Sequence, residues 1–115
     1  MKYALLIHDD ESFHSFSDAQ RGDLIGAHQA YVQALVEAGV MVGGEPLGPS
    51  ADAVAVRADG TVHDGPYIDS KEQLGGFYLI DVASRDEAVK WAKRLPQATP
   101  DGGAVEVRPV PDYSG

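Results

Sequence analysis

Short apolar runs and alternating apolar and polar residues recur along the chain at intervals typical of a sheet protein. Turn-favouring Gly, Pro, Asp and Ser residues separate the runs. Asp59 and Gly60 lie between two of them and predict a tight hairpin turn, because Asp-Gly suits positive φ values. The predicted strands cover about Lys2 to His8, Val40 to Gly43, Ala53 to Arg57, Phe77 to Val82 and Ala104 to Val110.

Two stretches between these strands have the spacing of helices. Ser17 and Gln20 match a capping box, so the first helix is predicted from there to about Ala38, with Gly39 ending it. Steps of about 100° per residue place one broad apolar face on this helix, opposite Gln29, Gln33 and Glu37. The face comprises Leu24, Ile25, Ala27, His28, Tyr31, Val32, Ala34, Leu35, Val36 and Ala38.

The second helix is predicted over "SRDEAVKWAKRL", where Ser84 and Glu87 have capping-box spacing and Pro96 ends the pattern. Its buried stripe is predicted to be Ala88, Trp91, Ala92 and Leu95, and the loop before the last strand contains Pro100, Gly102 and Gly103.

The order β, α, β, hairpin arm, β, α, β predicts an α+β fold of the ferredoxin-like, split βαβ kind. Both helices then lie on one face of an antiparallel sheet. The runs "YALLI" and "FYLI" are apolar on both sides of their strands, so the second sheet face is left uncovered. We expect that face to pack against an identical subunit related by a two-fold axis.

Composition narrows the classes of function. The 115 residues fit a single domain spanning 1–115, and nine basic against eighteen acidic residues give a net charge of −9. This charge disfavours binding to nucleic acid or to anionic membranes. The chain has no cysteine, which fits a reducing cytoplasm, and its first apolar run is too short for a signal peptide or a membrane span.

His28 is the main candidate for chemistry. It lies near the centre of the predicted apolar face, where it is either a core histidine with one hydrogen bond or a general acid/base at the edge of a cavity. His8, Asp9 and Asp10 are adjacent on a strand end and point in alternating directions, so they do not predict a metal site.

The stretch "HDGPYIDSKEQLGG", residues 63–76, combines turn residues with groups suited to binding. Asp64, Gly65 and Pro66 are turn chemistry, whereas Tyr67 and Lys71 bring a hydroxyl and a positive charge. Composition by itself favours a structural turn over the rim of a site.

"DGPY" followed by "KEQLGGFYLIDV", with "MKYALLIH" before and "VEVRPV" after, resembles the YCII-related superfamily and its DGPF-motif branch over essentially the whole chain. Tyr67 stands where that motif usually has phenylalanine. The resemblance implies a ferredoxin-like fold that dimerises into a dimeric α/β barrel, in a cytoplasmic bacterial protein.

Some relatives in this superfamily are chloromuconolactone dehalogenases, which eliminate HCl from a lactone. In others, a histidine of the first helix pairs with an aspartate, and His28 occupies the matching position. No acid follows in "AGVMVGG" before Glu45, so the dyad is half present, and Asp64, Asp81 or Glu45 are the carboxylates left to orient the imidazole.

Two functions remain open. The first is a cofactor-independent enzyme that carries out proton transfer or elimination on a small molecule. His28 and Asp64 would be catalytic, with Glu45, Pro66, Tyr67, Lys71 and Gly76 contacting the substrate. The sequence has no GxGxxG after a strand, no Walker motif and no HExxH, so no cofactor is expected. The second is a non-catalytic small-ligand-binding or regulatory dimer, since some relatives are associated with sigma factors.

Overall fold

A computed structural model describes residues 1–96 and 103–113 and has the predicted α+β architecture. Two short 3-10 turns, Ser12–Ser15 and Ser50–Asp52, interrupt the loops. The predicted loop at Pro100 and Gly102 lies outside the described residues. The helices and strands are β1 (Lys2–Asp9), α1 (Asp18–Glu37), β2 (Met41–Pro46), β3 (Val54–Val56), β4 (Val62–Asp64), β5 (Gln73–Asp81), α2 (Arg85–Lys93) and β6 (Ala104–Pro109).

Four strands form the main sheet in the order β2-β5-β1-β6, and every neighbouring pair is antiparallel. This is the strand order of the split βαβ arrangement, in which β5 inserts between β1 and the strand that follows α1. β5 begins at Gln73, four residues before its predicted start at Phe77, and β2 continues past Gly43 to Pro46. Both extensions add backbone at the end of the sheet where β1 also ends.

The two faces of the sheet differ in cover. On the helix side, Tyr3 and Leu5 of β1 pair with Ile80 and Tyr78 of β5, and all four are buried in the core with Leu35. This core is the part of the fold that the apolar pattern predicts most directly, because β strands alternate their side chains between faces. The opposite face carries half-buried apolar residues outside that core: Ala4, Leu6, Phe77 and Leu79.

The start of α1 is confirmed in detail. The Ser17 hydroxyl accepts a hydrogen bond from the Gln20 N–H at 3.2 Å, and the Gln20 side chain accepts from the Ser17 N–H at 3.0 Å. These reciprocal bonds satisfy two of the orphan donors of the first turn. Gly39 follows the helix with φ 73°, the left-handed conformation that glycine adopts without steric cost.

The broad apolar face predicted for α1 is wrong. Only Tyr31 and Leu35 are buried, whereas Ile25 is 48% exposed and Val36 is 58% exposed. The apolar residues of this helix spread around most of its circumference, and a helix can press only one stripe against a sheet. His28 is half-buried beside that stripe.

For α2, half of the predicted capping box forms. The Ser84 hydroxyl accepts from the Glu87 N–H at 3.3 Å, and no return bond from the Glu87 side chain to Ser84 is present. Ala88 and Leu95 are buried as predicted, and Trp91 is half-buried at the edge of the core.

The predicted hairpin forms a separate two-stranded sheet, β3 with β4. Gly60 has φ 89° at its turn, and the Asp59 carboxylate accepts from both the backbone and the hydroxyl of Thr61. We call residues 53–72 the arm. Its apolar side chains are mostly exposed, including Val54, Val56, Val62, Tyr67 and Ile68.

Candidate functional site

A cavity of about 560 Å³ lies between the first half of α1 and the ends of β1, β2 and β5. The loop after β1 and the loop after β2 complete its wall. Its volume is within the range of small-molecule sites. Most of the lining is apolar, with side chains that include Ile7, Phe13, Leu24, Ile25, Val32 and Leu47.

His28 meets Tyr78 at the wall of this cavity. The His28 Nδ1 atom lies 2.9 Å from the Tyr78 hydroxyl, and the two rings are stacked at 6.1 Å with 16° between their planes. Tyr78 is in the centre of β5. Its side chain lies on the same sheet face as Gly76 and Ile80, which is the buried face on the side of the helices. The hydrogen bond therefore joins the helix to the middle of the sheet.

The second ring nitrogen of His28, Nε2, has no hydrogen-bond partner among the described residues. Within the same residues, no buried side-chain nitrogen or oxygen lacks a partner. Nε2 therefore retains access to solvent, and it is the ring nitrogen of this cavity-lining histidine that is left for a ligand.

Burial disfavours the charged form of both members of this pair. Desolvation lowers the pKa of His28 below its usual value and raises the pKa of Tyr78. Tyr31 supports the pair from inside the core, where its ring lies 5.3 Å from that of Tyr78. The Tyr31 hydroxyl donates to the Trp91 carbonyl at 2.7 Å, which anchors this tyrosine on α2.

Three carboxylates line the cavity, those of Asp9, Glu11 and Glu45. Glu11 accepts from the Ser50 backbone N–H at 2.5 Å and from the Ser50 hydroxyl at 2.6 Å, and these bonds lower its pKa. Asp9 accepts from the Glu11 N–H at 2.9 Å. No Lys or Arg is among the described residues that line the cavity. The site is thus poorly suited to anionic ligands.

The structure brings together only some of the residues that the sequence proposed for a site. Glu45 and Gly76 line the cavity with His28, whereas Asp64, Pro66, Tyr67 and Lys71 do not. Tyr67 is 69% exposed on the arm, with the Arg57 guanidinium 5.5 Å from its ring centre. Within one chain, the "DGPY" motif therefore does not reach its own cavity.

Of the three carboxylates proposed to orient His28, only Glu45 lines the cavity. Asp64 is exposed at the end of β4, and Asp81 binds the amino terminus of Met1 at 2.8 Å. Nδ1 is bonded to a phenol instead. The sequence predicted "FYLI" only as a buried strand, and Tyr78 was missed as a site residue. The alternation of side chains along β5 was the signal that could have placed Tyr78 on the sheet face that packs against α1.

The acidic end of β1 shows a different arrangement from a metal site. The His8 Nε2 atom lies 3.5 Å from Glu106 of β6, and the described residues contain no group of three or more His, Cys, Asp or Glu able to hold an ion. Asp10 instead accepts from the backbone and the hydroxyl of Ser12, which lowers its pKa. Among the helices in the described ranges, none has the length and apolar character needed to cross a membrane.

Comparison with known proteins identifies the family of this chain. The model of the YCII-related domain matches residues 1–114. The chain belongs to the YCII-related family. An uncharacterised protein of Rhizobium meliloti (strain 1021) is 40% identical to this YCII-related chain over 117 residues, which cover 98% of the chain and 94% of that protein.

A solved structure also resembles this YCII-related chain. It is 5-chloro-2-hydroxyhydroquinone dehydrochlorinase from Burkholderia phenoliruptrix, in complex with 2,5-dihydroxybenzoquinone. The TM-score is 0.56 at 21% sequence identity, and the match covers 96% of this chain and 94% of the other. At this identity the likeness shows a shared fold, which agrees with the α+β architecture described above.

Proposed function

We propose that this YCII-related chain is a cofactor-independent enzyme that transfers a proton on a small molecule, in an elimination or a related reaction. His28 is its general acid or base. The observation that carries the proposal is the placement of His28, with Nδ1 held by Tyr78 and Nε2 open at the wall of a cavity of about 560 Å³. A held ring and an open nitrogen are the two things that proton transfer to a bound molecule requires.

The lining favours one kind of substrate. Apolar side chains cover most of the cavity, and three carboxylates with no described Lys or Arg disfavour a carboxylate or phosphate group. The carboxylates can accept hydrogen bonds from hydroxyl groups. An uncharged hydroxylated ring therefore suits this cavity better than a carboxylated lactone.

We place Glu45 and Gly76 in the same proposed site. Glu45 is the cavity carboxylate with no hydrogen bond to a described residue, so it is the acid most available to a substrate hydroxyl. Glycine at position 76 allows β2 and β5 to approach each other closely in the cavity wall, since a Cβ there would come within 3.1 Å of the Glu45 carbonyl. Asp64, Pro66, Tyr67 and Lys71 have no role in this site within one chain, because they lie on the exposed arm.

We also propose that the chain forms a homodimer through the uncovered sheet face, Ala4, Leu6, Phe77 and Leu79. These four apolar side chains lie outside the core on the helix side, and no described element covers them. An uncovered apolar sheet face is typical of an interaction surface. Light scattering should give twice the chain mass at micromolar concentration for the native protein and the single-chain mass for Leu6→Lys. A native monomer would refute this part of the proposal.

The test of the proposed enzyme compares His28→Gln with His63→Gln, which removes an exposed histidine from the arm. Chlorinated hydroxyhydroquinones are supplied as test substrates, and the chloride that is released is measured. The native protein and His63→Gln should release chloride at equal rates, and His28→Gln should be at least about 100-fold slower, as expected for loss of a general acid or base. Equal rates in all three proteins would remove His28 from the chemistry.

A second candidate function is binding without catalysis, in a regulatory dimer. The observation that favours it is the phenol beside His28, since an uncharged partner stabilises an imidazolium less than the missing carboxylate would. Hydroquinone, which is uncharged at neutral pH, serves as a probe in thermal-shift measurements, because a ligand that binds the folded state raises its apparent stability. A shift in the native protein with no turnover of any chlorinated substrate would favour this function.

A further inference from the structure

We infer that Tyr78 is the positioning residue of His28, and that its hydroxyl holds the imidazole in the tautomer that carries its proton on Nε2. The catalytic consequence of this inference rests on the proposed function, whereas the tautomer itself does not. The sequence indicated a carboxylate for the orienting role, and the structure has a neutral hydroxyl in that place.

The direction of the hydrogen bond follows from what each group can find as a partner. Tyr78 is buried, at 9% exposure, and its hydroxyl has one hydrogen-bond partner among the described residues, Nδ1 of His28 at 2.9 Å. If Nδ1 carried the proton, it would donate to the tyrosine oxygen, and no described residue would accept the hydroxyl hydrogen. Buried donors in proteins are almost always paired.

The reverse arrangement satisfies both residues. The Tyr78 hydroxyl donates to an unprotonated Nδ1, and the His28 proton is then on Nε2, the nitrogen that retains access to solvent. Water or a ligand can accept from this N–H. The second nitrogen of a histidine sets the tautomer of the first in just this way.

The phenol is held in place from two other sides. The ring of Tyr31 packs against it at 5.3 Å, and Gly44 of β2 lies so close that a Cβ there would come within 2.8 Å of the Tyr78 ring. The hydroxyl therefore has a fixed position relative to α1. A fixed donor is what is needed to keep an imidazole in one tautomer and one orientation.

This tautomer restricts the class of ligand. Neutral His28 presents an N–H to the cavity, so the group opposite it is an acceptor oxygen, such as a carbonyl of a quinone or an enone. A neutral imidazole can stabilise negative charge that develops on such an oxygen. His28 was proposed as a general acid or a general base. A resting imidazole with its proton on Nε2 favours the first role, in which Nε2–H donates to the ligand.

The experiment measures the ¹⁵N shifts of the histidine ring nitrogens in protein labelled with ¹⁵N-histidine, with His28→Gln to assign the signals. Native protein at pH 8 should show an unprotonated Nδ1 and a protonated Nε2 for His28. Tyr78→Phe should move both shifts toward the tautomer average of the exposed His14 and His63. Tyr31→Phe is the matched control, because it removes a neighbouring buried hydroxyl that bonds Trp91 rather than His28.

A proton on Nδ1 in the native protein would overturn the inference. So would shifts for His28 that are unchanged in Tyr78→Phe, or that change equally in Tyr31→Phe. If Tyr78→Phe does not fold, the native spectrum still decides the tautomer. No substrate takes part in these measurements, so a protein that fails every turnover assay can still pass this test, and an active one can fail it.

Discussion

The cavity beside α1 and the exposed arm are built in opposite ways. In the cavity, His28 comes from a helix and Tyr78 from a strand fifty residues later. Tyr78 is part of the buried core, and His28 is half-buried beside it. On the arm, the "DGPY" motif is contiguous in the chain, and its Tyr67 ring contacts the Arg57 guanidinium in the open. The DGPY motif is easier to recognise in the sequence because its residues are adjacent. The pair of His28 and Tyr78 is distant in sequence, but it has the geometry for chemistry.

This difference shows what each kind of sequence signal reports. A local motif records a turn that the backbone must make, because Asp, Gly and Pro fix conformation within a few residues. A site made from distant residues depends on strand register, which no short motif encodes. Changes in the two regions should therefore differ in their effects. Two of the three predictions below compare the regions directly, and the other tests the close packing on the cavity side.

The largest expected difference is in stability. Leu35→Ala removes a fully buried side chain of the core under α1 and should lower the free energy of unfolding by about 2 to 5 kcal/mol. Val56→Ala on the arm, where the side chain is 69% exposed, should lower it by less than about 0.5 kcal/mol. Urea denaturation of both variants measures the contrast, and similar losses would mean that the arm is covered in solution.

A smaller effect is expected from two neighbouring glycines of β2. Gly44→Ala places a Cβ 2.7 Å from the Phe77 carbonyl and 2.8 Å from the Tyr78 ring, and should cost about 1 to 3 kcal/mol. Gly43→Ala meets no atom within 4 Å and should cost less than about 0.5 kcal/mol. Urea midpoints provide the measurement. Equal costs would contradict the close approach of β2 to Tyr78.

The smallest effect concerns pH. Burial lowers the pKa of His28 in the folded state below the unfolded value of about 6.5. As pH falls below about 6.5, the unfolded chain takes up a proton that the folded chain resists, so stability declines until the folded pKa is passed. His28→Gln should remove this part of the decline between pH 8 and pH 5, and His63→Gln should keep it. An unchanged decline in His28→Gln would show that His28 is not desolvated.

Much of the fold could be predicted because local rules were decisive. The capping box at Ser17, the left-handed Gly39 and the hairpin at Asp59 and Gly60 each depend on a few adjacent residues, and each is confirmed. The apolar face of α1 was predicted too broad. Alanines and valines around the helix look buried from the sequence, but a four-stranded sheet covers only one stripe of a helix.

The candidate site was predictable only in part. Helical periodicity placed His28 beside the core, but its partner depended on the pairing of Tyr78 with Leu5 and on the packing of β5 under α1. Asp64 was chosen because it lies in a recognisable motif. Sequence proximity to a motif gave no information about distance to the imidazole.

The bond between Glu11 and Ser50 closes the backbone into a ring that contains the whole of α1 and β2. Glu11 is in the loop after β1 and Ser50 is in the loop after β2, so this bond joins two of the segments that wall the cavity. The strands themselves are already joined through β5, so the bond determines the position of the loops and not that of the sheet. A change at Glu11 would therefore alter the wall of the cavity while leaving the hydrogen bond between His28 and Tyr78 in place.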